Sequence, residues 1–416
     1  MKTTKFKPSE VGPIPEEWEV KPFSECFTLM RNNTYSRDCL TDLPGSVANV
    51  HYGDVLIRYG AVLDFEKDSV PYLKSGVKPN KDLLKDGDLI FADTAEDETA
   101  GKAVEVQGVR PRMAVAGLHT VACRPQDEIF APRYLGYYIN SAAYHNQLLP
   151  LMTGTKVTSV SRAGFASTYV AIPPKSEQEK IAEALSDVDG LLAAMTKLIE
   201  KKRAIKQGAM QLLLTGKKRL AGFSGKWVEK RLGDVCELNP PGGGIPDRFV
   251  YIDLESVVDG ALIGRKIVEK CCAPSRAQRR FKRGDILFQT VRPYQKNNLF
   301  VDFEAARYVA STGYAVLRGL PGIGCSAFVY YVLHTDGFTG EVLDRCTGTS
   351  YPAINPGKLA EITLRLPQEV VEQQAIAAVL SDMDAEIAVL ESKRAKYESI
   401  KQGMMQELLT GRVRLV

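Results

Sequence analysis

The chain lacks the features that would place it in several large functional classes. Its 416 residues hold no apolar run approaching 18 residues, which argues against a membrane-spanning helix. The opening residues, Met1 to Glu10, carry no apolar core of the kind a secretory signal needs, so a cytoplasmic protein is expected. The eight cysteines (Cys26, Cys39, Cys123, Cys236, Cys271, Cys272, Cys325 and Cys346) include no C-x-x-C, and the four histidines lie far apart. That spacing argues against a zinc site and a disulfide framework, and predicts reduced thiols and no bound metal. No G-x-x-x-x-G-K-S/T loop for a nucleotide is present, and no acidic cluster with a lysine suits phosphodiester cleavage. An excess of one charge is missing too. Lys and Arg number 54 against 50 Asp and Glu, a net +4, so nucleic-acid binding has to be sought in the local distribution.

One motif needs a separate hearing. Asn239-Pro-Pro-Gly242 approaches the Asn/Asp-Pro-Pro-aromatic sequence with which amino-methyltransferases hold a target amine. Gly242, however, stands where an aromatic would stack on the extruded base. The downstream pair Gly322-Ile-Gly324 lacks the surroundings of a cofactor loop, so the Pro240–Gly244 run reads as a turn between strands. No catalysis and no cofactor of its own are expected of this chain.

What is present is repetition. Glu177–Leu220 aligns without gaps onto Glu372–Leu415 at an offset of 195, with 22 of 44 positions identical. The shared words are Glu-Gln (177–178, 372–373), Leu-Ser-Asp-x-Asp (185–189, 380–384), Ile-Lys-Gln-Gly (205–208, 400–403) and Leu-Leu-Thr-Gly (213–216, 408–411). The regions upstream repeat only faintly. Trp18 matches Trp227, Lys85-Asp-Gly-Asp88 matches Lys282-Arg-Gly-Asp285, and Thr153-Gly-Thr155 matches Thr347-Gly-Thr349. Two diverged domains thus alternate with two nearly constant segments. The constant parts would meet the same partner twice, and the variable parts would read different things.

The constant segments are predicted to be long helices. Ile181, Leu185, Val188, Leu192, Met195 and Ile199 follow the four-three spacing of a coiled-coil seam. Ile376, Leu380, Met383, Ile387 and Leu390, then Tyr397 and Met404, form the second seam. Ser176-Glu-Gln-Glu179 reads as a capping box, and Gly216 and Gly411 as stops. Roughly 38 residues make a rod of ~57 Å. The upstream regions are mixed α/β: apolar runs such as Asp88–Phe91, His119–Ala122, Asp285–Phe288 and Tyr314–Leu317 suggest strands, and Tyr134–Asn146 and Ala327–His334 short helices. The expected fold is therefore α+β, with two mixed α/β domains in a pseudo-twofold arrangement, separated by two long antiparallel, coiled-coil-like helices. The divisions fall at residues 1–172, 173–220, 221–366 and 367–416.

Basic residues concentrate in the second domain. Between Leu262 and Lys296 ten Lys and Arg face two acids, a local +8 that suits phosphate neutralisation as well as a solvated face. The candidates for DNA contact here are Arg276, Arg279, Arg280, Arg292, Lys296, Asn297 and Asn298, with Thr347, Thr349, Ser350 and Tyr351 from the later turn. Arginine and amide forks are the groups that pair bidentately with guanine and adenine edges. In the first domain the candidates are Arg31, Asn32, Asn33, Arg110, Arg112, Thr153, Thr155 and Lys156.

The order Trp18, Gly87-Asp88, Thr153-Gly-Thr155, Pro173-Pro-x-x-Glu-Gln178 and a helix ending Leu213-Leu-Thr-Gly216, given twice, resembles type I restriction-modification specificity subunits over the whole chain. One departure is the run from Pro367 to Gln373, one residue longer than that from Pro173 to Gln178. The resemblance implies two target-recognition domains that each grip one half of a split, asymmetric double-stranded DNA sequence, with the helix pair fixing their distance. It implies two methyltransferase subunits docked on the repeated helices, at positions that include Gln207, Gly208, Gln402 and Gly403, and motor-nuclease subunits beside them. S-adenosylmethionine would be bound by the methyltransferase partner. The alternatives are the recognition protein of a related fused methyltransferase-nuclease system and, in a different class, a coiled-coil scaffold with no DNA role.

Overall fold

The computed structural model describes residues 5–79, 82–126 and 128–416. The chain divides into two compact units, Met1–Thr196 with Lys393–Val416, and Lys197–Ser392. Both divisions fall inside long helices, α1 (Lys175–Leu213) and α2 (Val370–Leu408), each of 39 residues.

In the first unit a five-stranded sheet runs in the order Phe27–Leu29, Thr120–Pro125, Leu89–Ala92, Ala103–Gln107, Val62–Asp64, antiparallel except at the last pair. A four-stranded sheet pairs Met113–Ala116 in parallel with Val47–Val50 and continues to Tyr72–Leu73 and Leu40–Thr41. The second unit repeats the plan with Cys236–Leu238, Tyr314–Gly319, Ile286–Gln289 and Leu299–Phe300 in one sheet. Its other sheet holds Lys266–Glu269, Arg248–Ile252, Tyr308–Ser311 and Ala277–Arg279, again with one parallel pair.

The faint repeats have structural causes. Leu89–Ala92 and Ile286–Gln289 are buried along their whole length, as strands with apolar runs and neighbours on both faces should be. Each is entered through a glycine at φ +87, Gly87 or Gly284, where a side chain would be strained. The aspartate that follows closes the turn, Asp88 accepting from the Lys85 N–H and Asp285 from that of Lys282. Each carboxylate is buried and takes a two-pronged bond from an arginine on the next strand, Arg124 in one unit and Arg318 in the other, at 2.7–2.8 Å.

The shared helix words also act inside each unit. Glu177, 0 % exposed, accepts from Trp18 Nε1 at 3.0 Å and from the Arg414 guanidinium. In the second unit the Arg219 guanidinium grips buried Glu372 with two bonds and lies over the Trp227 ring. Gln178 takes the Ala131 N–H and donates to the Ile129 and Pro173 carbonyls; Gln373 takes the Cys325 N–H and donates to Ile323 and Pro367. Tyr137 donates to Asp189, which Lys401 also grips, and Tyr331 donates to Asp384, which Lys206 grips. The pairs Asp189–Lys401 and Thr196–Arg394 in one unit, and Asp384–Lys206 and Glu391–Arg203 in the other, run in opposite sequence directions. Within each unit the two helices therefore pack antiparallel.

The helix ends hold one correction. α1 begins at Lys175, so Ser176 sits inside the first turn, and Glu177 and Gln178 donate their N–H groups to the Pro174 carbonyl; the predicted capping box is not the cap. The stops are as expected, with Gly216 at φ +71 and Gly411 at φ +68. A Cβ on Gly216 would lie 3.1 Å from the Trp227 ring, and one on Gly411 2.3 Å from Pro15 and 3.1 Å from Trp18.

Glu105 is peculiar to the first unit. It is 1 % exposed and accepts from the backbone N–H of Gly136 and Arg133 at the start of the Tyr134–Ile139 helix, and from Gln107. Burial pushes its carboxyl up to about 7, against the opposing pull of those donors. The folded state then holds a proton that the unfolded chain releases above its ordinary value, so stability from this group is full in acid and is lost as pH rises through 7. Glu105→Gln is expected to remove about 2–3 kcal/mol of that pH dependence between pH 4.5 and 7, measured by urea unfolding across the range. A wild-type stability that rises over this window, in parallel with the variant, would refute the assignment.

Candidate DNA interface and docking face

With the other shared words committed inside the units, one set is left over. Gln207 and Gln402 are exposed, and a Cβ on Gly208 or Gly403 would meet nothing within 4 Å. A glycine inside a helix costs roughly 0.5–1 kcal/mol against alanine. Here it stands at the same place in both helices with no packing inside the chain to require it. Bare backbone beside a glutamine suits close approach by another molecule.

In the second unit the turn after Ile286–Gln289 is held in an unusual shape. Arg292 (φ 54) and Lys296 (φ 53) both adopt the left-handed conformation and bracket the Pro293–Gln295 turn. Such residues cost of order 1–3 kcal/mol each and persist only where the surroundings over-determine them. Several bonds do so. Gln289 donates to the Val291 carbonyl and to Gln295, the Arg292 N–H donates to the Pro352 carbonyl, and Lys296 reaches the His334 carbonyl and Asp336. Asn298 is buried and takes the Gln289 N–H, while Asn297 takes the N–H of Asp259. Three of the sequence candidates, Lys296, Asn297 and Asn298, thus shape the turn, the Lys296 ammonium and the two amide oxygens being engaged inside the unit.

Arg292 differs. Its guanidinium carbon lies 4.3 Å from the centre of the Tyr351 ring, which is 64 % exposed. Tyr351 belongs to the turn that a bridge between Thr347 and Ala353 closes, and Thr347, Thr349 and Ser350 are exposed on it. Arg276 is exposed close by in the chain of bonds: its carbonyl accepts from Thr312, whose neighbour Gly313 accepts from Thr290. Arg279 is half-buried, and Arg280 donates to the Ala306 and Tyr308 carbonyls, which uses the fork that the charge run seemed to offer. Tyr294, 49 % exposed at the tip of the strained turn, is a functional candidate the sequence reading passed over. The signal for it was an aromatic after proline in a polar turn.

The first unit places its candidates on three segments. Arg31 is exposed with its N–H bonded to Asp82, the Asn32 amide donates to the Gly117 carbonyl, and Asn33 is buried with its N–H on Ala116. Thr153, Thr155 and Lys156 are exposed on the turn closed by the bridge from Thr153 to Ser159. Arg162 donates to the Met30 carbonyl and ties the base of that turn to the Arg31 segment. Arg110 and Arg112 stand in a separate turn, where the Arg112 guanidinium donates to the Phe65 carbonyl.

Residues 15–206 and 224–399 each match the family model described as the type I restriction modification DNA specificity domain. The chain belongs to this family. Among curated proteins, this specificity chain is 24 % identical to the putative type I restriction enzyme MjaX specificity subunit of Methanocaldococcus jannaschii, covering 100 % of this chain and 98 % of that one. It is 24 % identical to the EcoKI specificity subunit of Escherichia coli over 67 % of this chain and 62 % of the other. Among solved structures it resembles the type I restriction-modification S subunit from M. genitalium, with a TM-score of 0.60, 14 % identity and 98 % of each chain covered. A second structure, from work on complex assembly and conformational transition of the type I restriction-modification system, gives a TM-score of 0.55 at 16 % identity, covering 96 % of this chain and 99 % of that one. The specificity family fits the doubled scaffold and its DNA-recognition function. Among the described residues no helix is long and apolar enough to cross a membrane.

Proposed function

We propose that each unit of this DNA specificity subunit grips one half of a bipartite duplex target, and that two methyltransferase subunits dock on the two Ile-Lys-Gln-Gly faces of α1 and α2. Motor-nuclease subunits would join the same complex. The observation that carries this reading is the contrast between the two kinds of repeat. The scaffold recurs with its Asp–Arg and Glu–Arg pairs intact, while the exposed turns differ, and the identical Gln-Gly positions stand bare at the same place in both helices. Identical faces suit two copies of one partner; different turns suit two different half-sites.

The chain itself would recognise and assemble without transferring a methyl group, S-adenosylmethionine being held by the partner. Incubating the purified chain with labelled S-adenosylmethionine and host DNA is expected to give no incorporation, and adding its methyltransferase to give sequence-specific adenine labelling. Label that appears without any partner would overturn the division of labour.

The docking face has its own test. Gly208→Ala with Gly403→Ala should raise stability by up to about 1 kcal/mol each, since the helix gains propensity and nothing is crowded. Gly208→Trp with Gly403→Trp should leave the fold intact and abolish co-purification with the methyltransferase. Normal complex formation by the tryptophan pair would remove these positions from the interface.

A further inference from the structure

Arg292 lies over an exposed tyrosine with its charge unpaired. No ion pair among the described residues involves it, and none of its guanidinium nitrogens donates to a described residue; Nε is buried, so the two terminal nitrogens are the unspent donors. Yet its guanidinium carbon is held over the Tyr351 ring, 4.3 Å from the ring centre, and its backbone in a left-handed turn anchored at Gln289, Lys296 and Pro352. A phosphate takes an arginine fork or a lysine's point charge, and it does not need the donors held in one orientation. A guanidinium held in place with parallel donors also matches a pair of in-plane base acceptors. In the major groove that pair is O6 and N7 of guanine.

We propose that Arg292, stacked on Tyr351, reads a guanine in the half-site bound by the second unit. The inference rests on the proposed recognition of DNA by that unit and names the base chemistry it selects. The first unit carries no such reader at the same corner. The turns Thr153–Ser159 and Thr347–Ala353 are equal in length and close by equivalent bridges, so Val157 stands where Tyr351 does, and it is 51 % exposed. The strand Leu89–Ala92 is followed there by Glu96-Asp97-Glu98, where the second unit has its Arg292–Gln295 turn. Carboxylates accept and cannot donate to O6 and N7. This guanine contact therefore belongs to one half-site only.

The experiment uses the full chain assembled with its methyltransferase. Mapping methylated adenines gives the wild-type sequence, and binding to duplexes altered at each position gives the discrimination there. Arg292→Ala is expected to lower the preference for guanine at one position of one half-site by about 5- to 150-fold and to leave the others unchanged. Arg292→Lys should not restore it, Tyr351→Phe should keep it, and Tyr351→Ala should weaken it. Independently of any variant's folding, 7-deazaguanine at that position removes the N7 acceptor. It should weaken the wild-type protein and have no effect on Arg292→Ala. A uniform loss across all sequences with the salt slope reduced by about one would make Arg292 a phosphate contact and overturn the proposal. So would a second-unit half-site without guanine. Absence of any sequence preference in the wild-type complex would instead defeat the recognition reading itself.

Discussion

Arg414→Ala is expected to destabilise the first unit by about 3–5 kcal/mol, and Arg219→Ala to do the same to the second, because each leaves a buried carboxylate without its cation. Glu177 and Glu372 are 0 % and 1 % exposed, and each arginine supplies two bonds. Losing both charges together is a different matter. Glu177→Met with Arg414→Met removes the desolvation cost along with the attraction. What remains is the buried Trp18 N–H left without its acceptor, about 1–3 kcal/mol, so the pair should cost less than Arg414→Ala alone. The two tryptophans make the measurement selective, since Trp18 donates to Glu177 and Trp227 lies under Arg219. In a Trp227→Phe background, urea unfolding followed by fluorescence reports the first unit alone; Trp18→Phe isolates the second. An unmoved midpoint after Arg414→Ala would mean that the carboxylate is rehydrated and that the pair is not a structural anchor.

Exchanging about Met1–Ala171 for the matching region of a relative should replace one half of the methylated sequence completely and leave the other unaltered, with methylation at the original site falling to background. The exchange is feasible because the anchors Glu177, Gln178, Asp189 and Arg414 lie outside it, and the incoming segment has to bring counterparts of Trp18, the Ile129–Ala131 backbone and Tyr137 to meet them. Methylome sequencing of cells carrying the hybrid reads the outcome. If both halves change, the two units do not read independently. The hybrid also identifies which half-site belongs to which unit, the assignment on which the role of Arg292 depends.

Much of this architecture could be read from residues because it rests on pattern. The four-three apolar spacing foretold α1 and α2, and Ile181, Leu185, Met195, Ile199, Ile376, Leu380 and Ile387 are indeed buried. Tyr397 falls off the seam at 36 % exposure, since period alone does not say where a partner surface ends. The words Glu-Gln, Leu-Ser-Asp-x-Asp and Leu-Leu-Thr-Gly were visible, but their meaning was not, because Glu177 finds Arg414 across 237 positions of sequence. The interface was least legible. A charge run such as Arg276–Arg283 records composition, and only coordinates tell that Arg280 is spent on carbonyls while Arg292 is not. The strain at Arg292 and Lys296 has no sequence signature beyond the proline between them.

The first unit includes Lys393–Val416, whereas the second is contained within Lys197–Ser392. During synthesis, then, the part begun first is completed last. Its core lacks Leu408 and Leu409, and its Glu177 lacks Arg414, until the 24 residues Lys393–Val416 have emerged. At about 5–20 residues per second, the second unit has had all its own residues for one to five seconds by that time. A nascent chain therefore presents a second unit with all its residues and a first one still short of its α2 segment, with the α1 positions Asp189 and Thr196 lacking Lys401 and Arg394. Any chaperone that attends this protein on the ribosome would meet the amino-terminal half as its client, and any early stop codon after Ser392 would strand that half unfinished.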